Sequence, residues 1–244
     1  MLPSSRPSSV CRARAGHVPT VALLLLAGAA PAQDPGVPRT LGPAEVRGSR
    51  VDTVIRARYV EEGRTLSGEA VQTWTNPGPE TVGDLWFHLY HNAFSNDRST
   101  HLAQSGGELR GVRLEEGWGW QRVTAVTVDG VDVMPSFRYR QPDDGNAEDR
   151  TVFSVDLPVA AGPGETLTVS VRWEARVPRV RRRTGYKDDF LFLAHWFPKL
   201  GVYEGGRGWN CHQFHMNTEF YGNYGTYDVT LELPAKYEGK VFAS

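Results

Sequence analysis

Residues 166–173, TLTVSVRW, alternate apolar and polar side chains without a fault. A two-residue period places every apolar side chain on one face of an extended strand. Residues 227–233, YDVTLEL, do the same, and residues 122–128, RVTAVTV, come close. Nowhere does the three-and-four spacing of an amphipathic helix persist for three turns. Short extended runs are instead punctuated by Glu62-Gly63, Asn76-Pro77-Gly78-Pro79, Asp129-Gly130 and Ala161-Gly162-Pro163-Gly164. Many short strands between glycine and proline turns restrict the chain to an all-β fold, a sandwich or curved antiparallel sheet.

Local pairing follows from the same signals. Residues 51–59 and 65–74 flank Glu62-Gly63 as a hairpin. Residues 82–90, VGDLWFHLY, form a dense strand with Leu85, Phe87 and Leu89 on one side. Residues 92–107 are polar and read as a long loop or a short helix. Asp129-Gly130 turns residues 122–128 back into a strand over 131–139. A polar loop at 141–149 precedes a strand at 151–157. Residues 190–198 are expected to form a buried strand, and residues 240–244 to begin another.

The first 32 residues stand apart. Arg6, Arg12 and Arg14 make a positive leader, residues 21–27 (VALLLLA) a short apolar run, and Ala30-Pro31-Ala32 a cleavage signal. The apolar run falls short of the ~20 residues that span a bilayer. The reading is a secretory signal over 1–32, a flexible leader over 33–48 and one β-domain over 49–244. The protein is therefore expected to be exported to the periplasm, cell surface or medium, with no stable membrane span. Losing the signal removes three arginines and no acid, leaving 24 basic against 28 acidic residues, a net charge of −4. That balance argues against a nucleic-acid partner. Of the two cysteines Cys11 leaves with the signal, so the mature chain forms no internal disulfide. Cys211 adjoins His212, which is either a nucleophilic pair or, far more commonly, a structural thiol beside an unrelated histidine.

Chemistry-bearing motifs are sparse. His88 and His91 are spaced H-x-x-H, as are His212 and His215. On a strand, i and i+3 face opposite sides, so the first pair cannot share a metal without a bend. The second pair lies with Cys211 in an expected loop, where convergence on a metal is conceivable but incomplete. There is no H-E-x-x-H, no P-loop and no G-x-S-x-G elbow. Glu115-Glu116 and Asp188-Asp189 are adjacent and point apart on an extended chain. No metal site and no catalytic residue is assigned. The densest chemistry is aromatic: residues 190–210 hold two Trp, three Phe, a Tyr and His195. Such a run fills a core or lines a cleft.

Three blocks carry a family resemblance. Residues 84–94, DLWFHLYHNAF, resemble the "LWFHLYPNAF" strand of bacterial members of the aminopeptidase N family of zinc metallopeptidases. Residues 192–199, FLAHWFPK, are similar to its "FLAQWYPK" segment. Val202-Tyr203, Gly208-Trp209-Asn210 and Glu219-Phe220-Tyr221 through residues 227–231 fit its continuation. The resemblance implies a saddle-shaped antiparallel β-sandwich, the N-terminal domain of an exported enzyme. It further implies that zinc, the H-E-x-x-H helix and the general base belong to a metallopeptidase domain downstream of Ser244, the partner of this one. On this reading the chain is an incomplete product, inactive alone, that contributes to the cleft for a peptide substrate. His195, Trp196 and Phe197 are the implied substrate-binding residues. The family commonly has Gln and Glu where this chain has His195 and Phe197, and Phe197 cannot pair with a substrate ammonium. A different reading is a non-catalytic sandwich module that grips carbohydrate or protein, which would display Trp118, Trp120, Trp196 and Trp209 on one exposed face.

Overall fold

A computed structural model describes residues 9–14, 50–109, 112–113, 117–179, 184–218 and 220–242. The expected leader over 33–48, most of the expected signal, Glu115-Glu116, Glu219 and the last two residues lie outside the described residues.

The chain opens its domain with β1 (Val51–Val60) and β2 (Thr65–Thr75). They pair antiparallel from Val51↔Trp74 to Val60↔Thr65 around a tight turn at Glu62–Arg64. Gly63 takes φ 80° there, a left-handed value that glycine adopts without cost. β3 (Val82–His88), β4 (Trp120–Val128), β5 (Val152–Ala161), β6 (Thr166–Arg176) and β7 (Tyr227–Leu233) complete the long strands. Among the described residues, the large sheet runs Ser9–Arg14, β7, β1, β2, β6, β4, Val131–Asp132. A smaller sheet runs Lys199–Leu200, β3, β5, Arg138–Arg140.

Period-two patterning decides which face of the large sheet is covered. In β1, Val51, Ile55, Ala57 and Tyr59 are buried while Val54 and the intervening arginines are exposed. The outer face is charged and wet, with ion pairs Arg58–Glu232, Arg172–Glu69 and Arg122–Glu174. The inner face is covered in two halves. Over one half the smaller sheet packs Leu85, Phe87, Phe153 and Val155 against Trp74, Val126, Val169 and Val171. Over the other half the cover is Leu191, Leu193, Trp196 and Phe197, packed on Ile55, Leu66 and Trp173. The described fold is thus all-β and a true sandwich over half of its large sheet.

Four expectations need correction. First, the large sheet is not wholly antiparallel: β7 runs parallel to β1, from Tyr227↔Thr53 to Glu232↔Arg58. A hairpin turn fixes direction only between sequential strands, and β7 arrives from far along the chain. Its arrival is tight, since Val51 N donates to Tyr224 O at 2.8 Å. A Cβ on Gly225 would lie 1.8 Å from Val51 O, so only glycine fits that approach. Second, the return strand after Asp129-Gly130 breaks after Asp132. A turn over Met134–Ser136 then carries Arg138–Arg140 into the smaller sheet, where it pairs with β5. Third, residues 190–198 do not form one buried strand. Phe190–Phe192 pairs with Gly185–Lys187 in a small hairpin, and residues 193–198 are irregular. Fourth, residues 240–242 form no strand, and Phe242 is exposed. The strand at Ser9–Arg14, antiparallel to β7, falls within the expected signal segment.

Candidate functional site

The chain leaves β3 at His88 and turns sharply through Tyr90–Phe94. A reciprocal amide pair holds this turn. His91 N donates to Gln121 Oε1 at 3.2 Å, and Gln121 N donates to Asn92 Oδ1 at 2.7 Å. Asn92 Nδ2 also donates to Arg150 O. With its backbone satisfied inside the fold, the turn presents Tyr90, His91 and Phe94 to one opening. Beyond the bend His88 stacks on Tyr90, whereas His91 meets Thr184.

A pocket of about 320 Å³ opens on this turn. Tyr90, His91 and Phe94 form its floor with Thr184. Ala194, His195, Phe214, Met216 and Phe220 line its sides, with Asn217 and Thr218. The rings are interlocked. His195 stacks on Phe220 with centroids 3.7 Å apart, and Phe220 stacks on Phe214 at 4.9 Å. Tyr90 presents its edge to all three, at 4.9 Å from His195, 4.7 Å from Phe220 and 5.9 Å from Phe214. Edge-to-face and offset pairs at these separations are the favoured geometries of aromatic rings.

His195 reaches the pocket through an uncommon backbone conformation, φ 52°. For a residue with a Cβ, the left-handed region costs about 1–2 kcal/mol. The flanking residues hold it there. Phe197 is buried against Trp196 and Tyr227, and Trp196 packs edge-on against Trp173 at 5.6 Å. Of the three substrate-binding residues implied by resemblance, only His195 lines the pocket. Phe197 is buried, and Trp196 is partly buried beside it against Trp173.

Burial sets the protonation of the floor. It pushes Tyr90 above the ordinary phenol range and His91 down to about 4, so both are neutral near pH 7. The His91 Nε2 lies 3.0 Å from Thr184 Oγ1, and Thr184 Oγ1 donates onward to Phe192 O.

A polar clamp holds the Phe214 wall. Gln213 Oε1 accepts from Asp143 N and Asp144 N at 3.1 and 3.4 Å. Its Nε2 donates to Thr100 Oγ1 and Asp144 Oδ1 at 2.9 and 2.8 Å. Asp143 lies 2.5 Å from His212 Nδ1 and 3.0 Å from His215 Nε2, and accepts from Gln213 N. Burial alone would raise the Asp143 carboxyl, but hydrogen bonds from the two histidines outweigh it and hold the group below the ordinary carboxylate value.

The clamp answers the metal question for this segment. Cys211 is buried against Gly201, where a Cβ would meet its Sγ at 3.0 Å. Burial drives its thiol well above the ordinary value, which suits a structural thiol and not a nucleophile. His212 and His215 each face Asp143, and Cys211 does not join them. Among the described residues, no three His, Cys, Asp or Glu side chains are placed to hold a metal. This donor set does not fit zinc. Nor is any helix among the described residues long and apolar enough to cross a membrane.

Sequence reading named His195 and the surrounding aromatic run. It missed Tyr90, Phe94, Phe214 and Phe220, which are spread over 130 positions. Tyr90, Phe94 and Phe220 lie in the blocks of family resemblance, and Phe214 lies in none of them. The tryptophans of the binding-module reading do not form one exposed face. Trp118 packs beside Phe94, Trp196 on Trp173, and Trp209 on Trp74 and Tyr203.

No protein-family model matches the chain, and no curated protein matches it. Among solved structures, it is similar to an M1 zinc metallopeptidase from Deinococcus radiodurans, at 18% identity and a TM-score of 0.40, over 78% of this chain and 33% of that one. A mutant of that enzyme matches at 17% identity and a TM-score of 0.38, over 76% and 32%. A two-domain M1 zinc metallopeptidase mutant bound to L-arginine matches at 17% and 0.40, over 78% and 34%. The chain thus spans about a third of the length of these structures.

Proposed function

We propose that this chain is the N-terminal substrate-cleft and scaffolding domain of an exported aminopeptidase N-like zinc metallopeptidase. One observation carries the reading. The three sequence blocks that resemble that family lie far apart in the chain, yet each contributes to a single pocket: Tyr90 and Phe94 from the first, His195 from the second, Phe220 from the third.

The proposed roles follow from the geometry. The pocket receives part of a peptide substrate, and His195 contacts it. Trp196 and Phe197, on either side of the same segment's end, complete the substrate-binding set. No residue of this chain acts as nucleophile, base or metal ligand. Zinc would be held by the downstream domain, which is the partner of this one. Export would follow from a cleavable signal over residues 1–32.

The test is the longer gene product. An H-E-x-x-H motif with a further Glu is expected beyond Ser244. The purified product is expected to hold zinc and cleave peptides, while residues 33–244 alone do neither. A stop codon directly after Ser244, or a longer product with neither zinc nor peptidase activity, would overturn the proposal. Within an active product, His195→Ala is expected to lower turnover modestly, because a single hydrogen bond contributes about 1 kcal/mol.

A further inference from the structure

We propose that Lys199 is a covalent acceptor for small aldehydes, which its side-chain amine takes up as an imine. This goes beyond peptide cleavage, in which the chain supplies no nucleophile. Lys199 begins the edge strand Lys199–Leu200 and lies directly opposite His88 of β3. Directly opposed residues of an antiparallel pair share one face, so the two side chains are neighbours. His88 is buried, and neither of its ring nitrogens has a partner among the described residues. The amine itself rests against Gly222, where a Cβ would lie 2.7 Å from Nζ and 2.9 Å from Cε. Asn223 follows in the chain. Its Nδ2 donates to Leu200 O and Gly201 O at 3.0 and 2.8 Å, while its Oδ1 is buried without a partner among the described residues.

The amine therefore sits among polar atoms that offer it no opposite charge. Lys199 Nζ makes no hydrogen bond or ion pair to a described residue. His88 beside it is neutral near pH 7. Burial without a counter-charge pushes the Lys199 amine below the ordinary lysine value. Lys236 is the contrast, since Glu61 and Asp189 hold its ammonium and push it up. Unlike the His88 nitrogens, Lys199 Nζ is not sealed from solvent, so a small reagent can reach it. The neutral amine is the nucleophilic form, and desolvated lysines are those that form imines. Nζ adds to the aldehyde carbonyl carbon and forms a C–N bond. Both nitrogen protons then leave with the carbonyl oxygen as water, and a C=N bond remains. Nothing is oxidised or reduced. The imine is uncharged, so the adduct relieves the site of an ammonium that no described residue pairs.

The test is reductive alkylation of the 244-residue chain at pH 7 with propionaldehyde, each imine being trapped by cyanoborohydride. Peptide mass spectrometry then gives a rate for each of the four lysines. Lys187, Lys236 and Lys240 are exposed, whereas Lys199 is only partly so, and access alone would make Lys199 the slowest. Lys199 is expected instead to react severalfold faster than the other three, and to lose that lead in urea. Gly222→Ala drives a methyl group into the amine and should erase the lead in the folded chain. Glu219, outside the described residues, is the acid nearest to Gly222 in sequence, and Glu219→Gln should leave the lead unchanged. A Lys199 rate no higher than that of the exposed lysines would overturn the proposal. So would a lead that persists in urea or in folded Gly222→Ala, or a rate that rises in Glu219→Gln, which would show the ammonium paired. The comparison within the unaltered chain decides the matter whether or not Gly222→Ala folds.

Discussion

His88 is fully buried, and neither of its ring nitrogens has a hydrogen-bond partner among the described residues. It stacks on Tyr90 at 4.7 Å and lies opposite Lys199 across the sheet. Burial is the main cause that pushes it down to about 3, with Lys199 adding to the effect, and burial takes His91 to about 4. Both side chains are thus neutral in the fold where an unfolded chain would charge them. The unfolded state then binds more protons below about pH 6.5, so stability must fall as pH drops toward 4. Each histidine contributes up to ~1.4 kcal/mol per pH unit across that window. His88→Phe keeps the stack and removes two unsatisfied nitrogens. Urea unfolding at a series of pH values should show it as stable as the parent or more so at pH 7, by about 1–2 kcal/mol. Its stability should also fall less steeply between pH 6.5 and 4. An unchanged slope would show that His88 is solvated in a way its burial conceals.

Among the elements, the segment that bears Phe214 is the most exposed to a single change. Gln213 ties three stretches together: the helix at Thr100–Gln104, the loop around Asp143 and Asp144, and its own strand-free segment. Gln213→Ala leaves the Asp143 and Asp144 backbone N–H groups without their acceptor and should lower stability by about 2–3 kcal/mol. Near-ultraviolet dichroism should change as well, because the residue beside Phe214 loses its clamp. Unchanged dichroism with lowered stability would show that the wall is held by ring packing alone. The hairpin β1–β2 needed no such support from elsewhere to be legible. Its turn glycine and its alternation are local, and local signals survive in a single sequence. The hairpin Phe190–Phe192 was misjudged for the opposite reason. Phe190 and Phe192 are 69% and 50% exposed, and hydrophobicity alone reads exposed phenylalanines as a core.

At the scale of the whole molecule, the exposed phenylalanines have a measurable consequence. Clustered apolar surface in a soluble protein marks a site of contact or a liability to associate. The 244-residue chain should bind a hydrophobic dye or self-associate, and the double substitution Phe190→Ser, Phe192→Ser should suppress this without loss of stability. Dye binding that survives the double substitution would place the exposed surface elsewhere. The cover of the large sheet gives the same contrast a structural form. Half is a second sheet, and half is an irregular aromatic segment held by Trp196, Phe197 and their contacts with Trp173 and Tyr227.

What the sequence determined by itself was set by short-range physics. Alternation in β6 and β7 placed their side chains on two faces, and turn residues broke the strands. The aromatic run pointed to His195. Tertiary structure alone decided the rest, because it depended on contacts between distant segments. The parallel pairing of β7 with β1 is fixed by a close backbone approach at Gly225. The loss of Cys211 from any metal set follows from its burial against Gly201. The meeting of Tyr90, His195, Phe214 and Phe220 needs a turn, a left-handed residue and a clamp to be in place at once. No periodicity in one chain encodes such a meeting, since each ring is ordinary where it stands and becomes a wall only when the others arrive.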